Sequence, residues 1–97
     1  MHWEDALRIR VDEILHYVWD PIGIKDVPQC RDEYDAYLPG VMSLLESGAG
    51  ADQIALYLGD IGTEKMGLGR NPSKENIAAR IIMNYFEYLK ESSESNS

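Results

Sequence analysis

Two histidines, one cysteine and a run of carboxylates are the residues of this chain able to do chemistry, and their spacing decides how much. Glu13-Ile14-Leu15-His16 is a Glu-x-x-His step, which puts both side chains on one helix face. A di-iron bundle needs two such steps and two further inward glutamates. The other histidine, His2, lies at the start of the chain, so neither a metal nor another cofactor is expected. Asp20, Asp26, Asp32, Glu33 and Asp35 fall within 16 residues, yet the alternating ligands and central glycine of an EF-hand loop are missing. They read either as a solvated acidic loop, with Asp35 capping the next helix, or as a surface for a basic protein. A lone Cys30 excludes an internal disulfide and a four-cysteine zinc site. Arg31 beside it could favour the thiolate, but no partner base accompanies it. Nucleophile-elbow, zincin and P-loop patterns do not occur. Catalysis is not expected.

Charge narrows the partners further. The 97 residues carry a net charge of -8. Residues 1–64 hold 13 of the 17 acids against four bases (Arg8, Arg10, Lys25 and Arg31), a net -9, whereas residues 65–97 come to +1. Such acidity repels phosphate backbones and anionic lipid, so nucleic acid and membrane surfaces are disfavoured. It attracts a basic protein, or simply keeps the chain soluble. No apolar run approaches the roughly 20 residues of a membrane span. The acidic, charge-alternating start is no secretory signal, and a cytoplasmic location is the default.

The elements that must position these residues are helical. Trp3, Leu7, Val11, Ile14 and Val18 recur in steps of four and three, predicting a helix over 3–19. An i,i+4 pair of Arg8 with Asp12 is expected on its outer side. Pro21 stops that helix by removing a donor and pushing Asp20 out of the α region. Pro21-Ile22-Gly23-Ile24 reads as a turn and Pro28 as a second bend, while Ile22, Ile24 and Val27 are apolar enough to dock. Residues 20–34 are therefore an ordered loop. A second helix over 35–47 starts with Asp35 as cap and ends at Ser47-Gly48-Ala49-Gly50. A third runs over 51–66, weakened by Gly59 and Gly62 and expected to kink or shorten. Asn71-Pro72 opens a fourth over 72–90. That last helix is apolar over more than half its circumference, with one line in Ile77, Ala78, Ile81, Ile82, Tyr85 and Leu89 and a second in Ala79, Met83 and Phe86. It is either central or half of a dimer, and Ala79, Met83 and Phe86 are the candidate dimer face. Residues 91–97 lack any apolar side chain and should be disordered.

Trp19-Asp20-Pro21-Ile22-Gly23 followed by Asp32-Glu33-Tyr34-Asp35 resembles the signature of a small helical bacterial family, the domain of unknown function numbered 1871. The resemblance covers about residues 7–45 and is architectural over the last two helices. It implies a helical fold and no catalytic residues. The motif also has a physical reading: Pro21 and Gly23 shape a helix exit, Asp20 accepts hydrogen bonds from loop amides, and Tyr34 packs on the helix it introduces.

The expectation is thus an all-α, compact four-helix domain over 1–90 that binds another protein without catalysing a reaction. Asp26, Asp32, Glu33, Asp35 and Tyr37 are its candidate contacts to a basic partner, in the manner of an immunity protein or antitoxin. Trp19, Asp20, Pro21, Gly23 and Tyr34 are its structural motif. A structural homodimer is the alternative.

Overall fold

Helix α1 (His2–Ile14) presents Leu7, Val11 and Ile14 to the interior, all buried. It does not end there but widens into one π-helical turn, Leu15–Trp19, closed by the Asp20 amide donating to the Leu15 carbonyl at 3.0 Å. The computed structural model, which describes residues 2–95, then runs through two 3₁₀ turns (Pro28–Cys30 and Asp35–Tyr37) into α2 (Leu38–Glu46). Helix α3 (Ala51–Asp60) continues as a second π-helical turn, Ile61–Lys65, and α4 (Pro72–Ser95) completes an all-α domain. No strand occurs among the described residues, and none of their helices is long and apolar enough to cross a membrane.

The core is one cluster contributed by every helix: Leu7, Val11 and Leu15 meet Val41, Leu45, Ile54, Leu58 and Ile82. Helix α4 packs on both α1 and α3. At about 1.5 Å per residue its 24 residues reach about 36 Å, most of the 45 Å long axis of the molecule. Small residues set the close approaches. Ala55, Ala78 and Ala79 are buried between helices, and a Cβ at Gly40 would run into the Tyr57 ring, so α2 and α3 close only over a glycine there.

Three local expectations change. The second α-helix begins at Leu38, not Asp35, because the chain first turns through 3₁₀ geometry; Asp35 makes no side-chain cap, and Pro39 falls where its missing donor costs nothing. Tyr34 also reaches back to the end of α1, its ring 5.3 Å from that of Trp19. Arg8 is not the partner of Asp12, which pairs with Arg31 instead. The last helix continues through Ser95, beyond the predicted limit at Lys90. Extending an established helix fixes few dihedrals per hydrogen bond, so polar residues suffice; of the tail expected to be disordered, residues 96 and 97 lie outside the described residues.

The junction into α4 is tied by charge. Asn71 caps the helix, its Oδ1 accepting from the Lys74 amide at 3.3 Å. Glu75, buried in the first turn, accepts from Arg70 Nη2 at 2.7 Å and from the Asn71 amide at 3.0 Å. Arg70 lies flat across Gly59, where a Cβ would overlap its guanidinium. Burial pushes the Glu75 carboxyl up, but the Arg70 bonds and the Asn71 amide outweigh it and leave it below its ordinary value. A depressed carboxyl contributes stability that is complete above the unfolded pKa, about 4.3, and disappears as pH falls through the folded one. Glu75→Gln is therefore expected to cost about 1–2 kcal/mol at neutral pH, with the gap from wild type closing below about pH 4. Urea denaturation at both pH values checks this, and a deficit unchanged by acid would refute it.

Candidate recognition surface

The segment from 20 to 35 is held by one buried carboxylate. Asp20 sits in the left-handed region (φ 32°), the single non-glycine residue to do so among those described, and is 3% exposed. An L-residue there is strained, and aspartate tolerates it better than most. Its Oδ1 accepts from the Ile24 amide at 2.8 Å and from the Tyr34 hydroxyl at 2.8 Å; its Oδ2 accepts from the Lys25 amide at 3.1 Å. The Tyr34 oxygen in turn accepts from the Ile22 amide at 3.1 Å. Together these bonds tie the segment around the turn at Pro21–Gly23 (Gly23 φ 79°) to Asp20 at the end of α1. Burial pushes the Asp20 carboxyl up, yet bonds from Ile24, Tyr34 and Lys25, with the Lys74 charge nearby, bring it below its ordinary value. Burial, with the bond to the Asp20 carboxylate, pushes the Tyr34 hydroxyl well up, so it remains protonated and can donate.

Aromatic rings close the underside of this knot. Trp19, 2% exposed, lies 5.3 Å from Tyr34 and 6.2 Å edge-on from Tyr37, centroid to centroid. Tyr37, a candidate partner contact, is half-buried against the core and keeps part of its surface exposed. His16, also buried, sits against Tyr17 and places Nε2 3.1 Å from the Lys25 carbonyl, which makes Nε2 the protonated nitrogen. Its Nδ1 has no hydrogen-bond partner.

The acids lie on the outside of the scaffold so formed. Asp32, Glu33 and Asp35 are exposed, and Asp26 is exposed on the turn before Val27. They do not converge as one group. Asp32 and Asp35 instead join Asp12 of α1, which sequence reasoning had assigned only to a local ion pair. Partial desolvation, then the Asp12 and Asp32 carboxylates, raise the Asp35 carboxyl above its ordinary value, with Arg31 pulling it down. Arg31 reaches across from the loop, its Nη2 3.0 Å from Asp12 Oδ2 and its guanidinium 5.4 Å over the Tyr17 ring. Arg31 and Asp12 are 19 positions apart, and local spacing carries no signal of their contact. Among the described residues no group of three or more His, Cys, Asp and Glu side chains is arranged to hold a metal ion.

The candidate dimer line lies elsewhere. Ala79 is fully buried, and Met83 and Phe86 are half-buried against the core, with Phe86 6.0 Å from Trp3. That line therefore faces the chain's own helices. No family model, curated protein or solved structure matches the chain.

Proposed function

We infer that this domain acts by binding another protein, and that the partner presents a basic surface to the Asp12, Asp32 and Asp35 side of the molecule. The observation that carries this reading is that Asp35 faces the Asp12 and Asp32 carboxylates, which raise its carboxyl, with Arg31, paired with Asp12, acting against them. Like charges kept together at a surface cost stability. A lysine- or arginine-rich partner removes that cost and is drawn in faster by the net charge of -8. Neutralisation of a basic protein in the cytoplasm, as an immunity protein or antitoxin does, is the concrete form of the proposal. The likeness of the Trp19–Gly23 and Asp32–Asp35 signature to family 1871 adds a helical scaffold and no activity.

The test is affinity capture from host lysate at low and high salt, with a variant carrying Asp12→Asn, Asp32→Asn, Glu33→Gln and Asp35→Asn in parallel. Wild type should retain a basic protein at low salt, with an association rate that falls about 10- to 100-fold in the variant. Equal retention by both proteins, indifferent to salt, would remove the reading. A structural homodimer without catalysis is the second reading, favoured by an exposed apolar line on α4.

A further inference from the structure

Helix α4 carries an apolar stripe that its own chain does not cover. Ile77 (49% exposed), Ile81, Tyr85 (38%) and Tyr88 (64%) follow one another at steps of four, four and three. At about 100° per residue they occupy about 80° of arc. Ile81 is half-buried, and Arg10 of α1 lies 5.8 Å from the Tyr85 ring, so the stripe begins at the α1–α4 seam and faces outward from it. This is a different line from Ala79, Met83 and Phe86, which the core takes up.

We propose that the occupant of this stripe is α4 of a second copy, laid antiparallel. The stripe is polarised along its length: aliphatic in its first half (Ile77, Ile81) and aromatic in its second (Tyr85, Tyr88). Beside its one edge the exposed charges have the same polarity, Arg80 in the first half and Glu87 in the second. A two-fold interface must be self-complementary. With the axis crossing the stripe at the level of Met83, Ile81 faces Tyr85 of the second copy, Ile77 faces Tyr88, and Arg80 faces Glu87. A parallel two-fold would put the Arg80–Glu87 edges of the two copies on opposite sides of the contact, where the two charges could not pair. The rest of the charge favours this face as well. Residues 65–97, which include α4, carry +1 against -9 for residues 1–64, so α4 itself adds little repulsion between two copies. The patch spans about 16 Å of helix, which places it at the small end of specific interfaces and makes the dimer a reversible one.

Sedimentation equilibrium of the full 97-residue chain, from about 10 µM to about 1 mM at low salt, reads the association directly. The mass should rise from 11.0 kDa toward twice that value. Tyr88→Glu should hold it at the monomer while leaving the helical circular dichroism unchanged, since the side chain is exposed. Arg80→Glu and Glu87→Arg should each weaken association about 3- to 10-fold, because the pair occurs twice in the dimer, and the two together should restore it. The quadruple amide variant of the acidic surface should dimerise like wild type, which keeps this proposal separate from partner binding. A constant 11.0 kDa at every concentration overturns it, as does association that Tyr88→Glu leaves intact or a double charge exchange that fails to restore it.

Discussion

Trp19→Ala is expected to remove about 3–5 kcal/mol of stability, the largest loss from any single truncation in this chain. Trp19 is 2% exposed and lies where the end of α1, the loop and the start of α2 meet. Its ring touches two others, Tyr34 at 5.3 Å and Tyr37 at 6.2 Å, and such pairs add about 0.5–1.5 kcal/mol beyond the area they bury. Tyr34 cannot collapse into the space left behind, because it is anchored through its hydroxyl to Asp20 and Ile22. The cavity term is therefore close to complete. Against a total of about 5–15 kcal/mol for a small domain, the variant retains a small margin. Guanidinium denaturation followed by circular dichroism measures it; a loss under about 1.5 kcal/mol would mean that the rings repack.

Asp20→Ala is expected to cost about 3–4 kcal/mol at neutral pH. The substitution leaves two part-buried loop amides and the buried Tyr34 hydroxyl without their acceptor. It also puts alanine in a left-handed conformation that costs about 1 kcal/mol more than aspartate would suffer. Tyr34→Phe removes one of the same bonds and strands the Ile22 amide, so it should cost about 2 kcal/mol alone. The two changes combined should cost clearly less than their sum, since both break the same Asp20–Tyr34 bond. The pH dependence follows from the direction of the Asp20 shift. Its folded pKa lies below the unfolded value, so its contribution is complete above about pH 4 and is lost as pH falls through the folded pKa. The Asp20→Ala deficit should therefore shrink in acid. A deficit that is flat from neutral pH to below about pH 3 would show that the carboxylate charge is not what holds the loop.

Much of the architecture is visible in the residue order. Pro21 and Asn71-Pro72 mark where one helix stops and another starts, and steps of three and four place Leu7, Val11 and Ile14 on the buried side of α1. Gly59 and Gly62 announce an irregular end to α3, and the π-helical turn at Ile61–Lys65 is the form it takes. A π-turn adds one residue between bonded groups and asks for no special residue type, so neither Leu15–Trp19 nor Ile61–Lys65 could be named in advance. The tertiary pairing of Asp12 with Arg31 was equally hidden, because nothing local distinguishes it from Arg8 with Asp12. Two apolar lines on α4 were both visible, but periodicity is blind to direction. Only the positions of α1 and α3 decide that Ala79 is enclosed and Tyr88 is not.

The Asp20 knot also sets an order of events when the chain folds. Its partners lie 4, 5 and 14 positions along from Asp20, whereas Trp3 and Phe86, which close the far end of the α1–α4 seam, are 83 positions apart. The entropy of closing a loop grows with the logarithm of its length, and short separations are the ones satisfied before the main barrier. The end of α1 and its loop can therefore assemble as a local unit, with the two ends of the chain joined last. Substitutions in the knot then slow folding, and substitutions along the Trp3–Phe86 seam chiefly hasten unfolding.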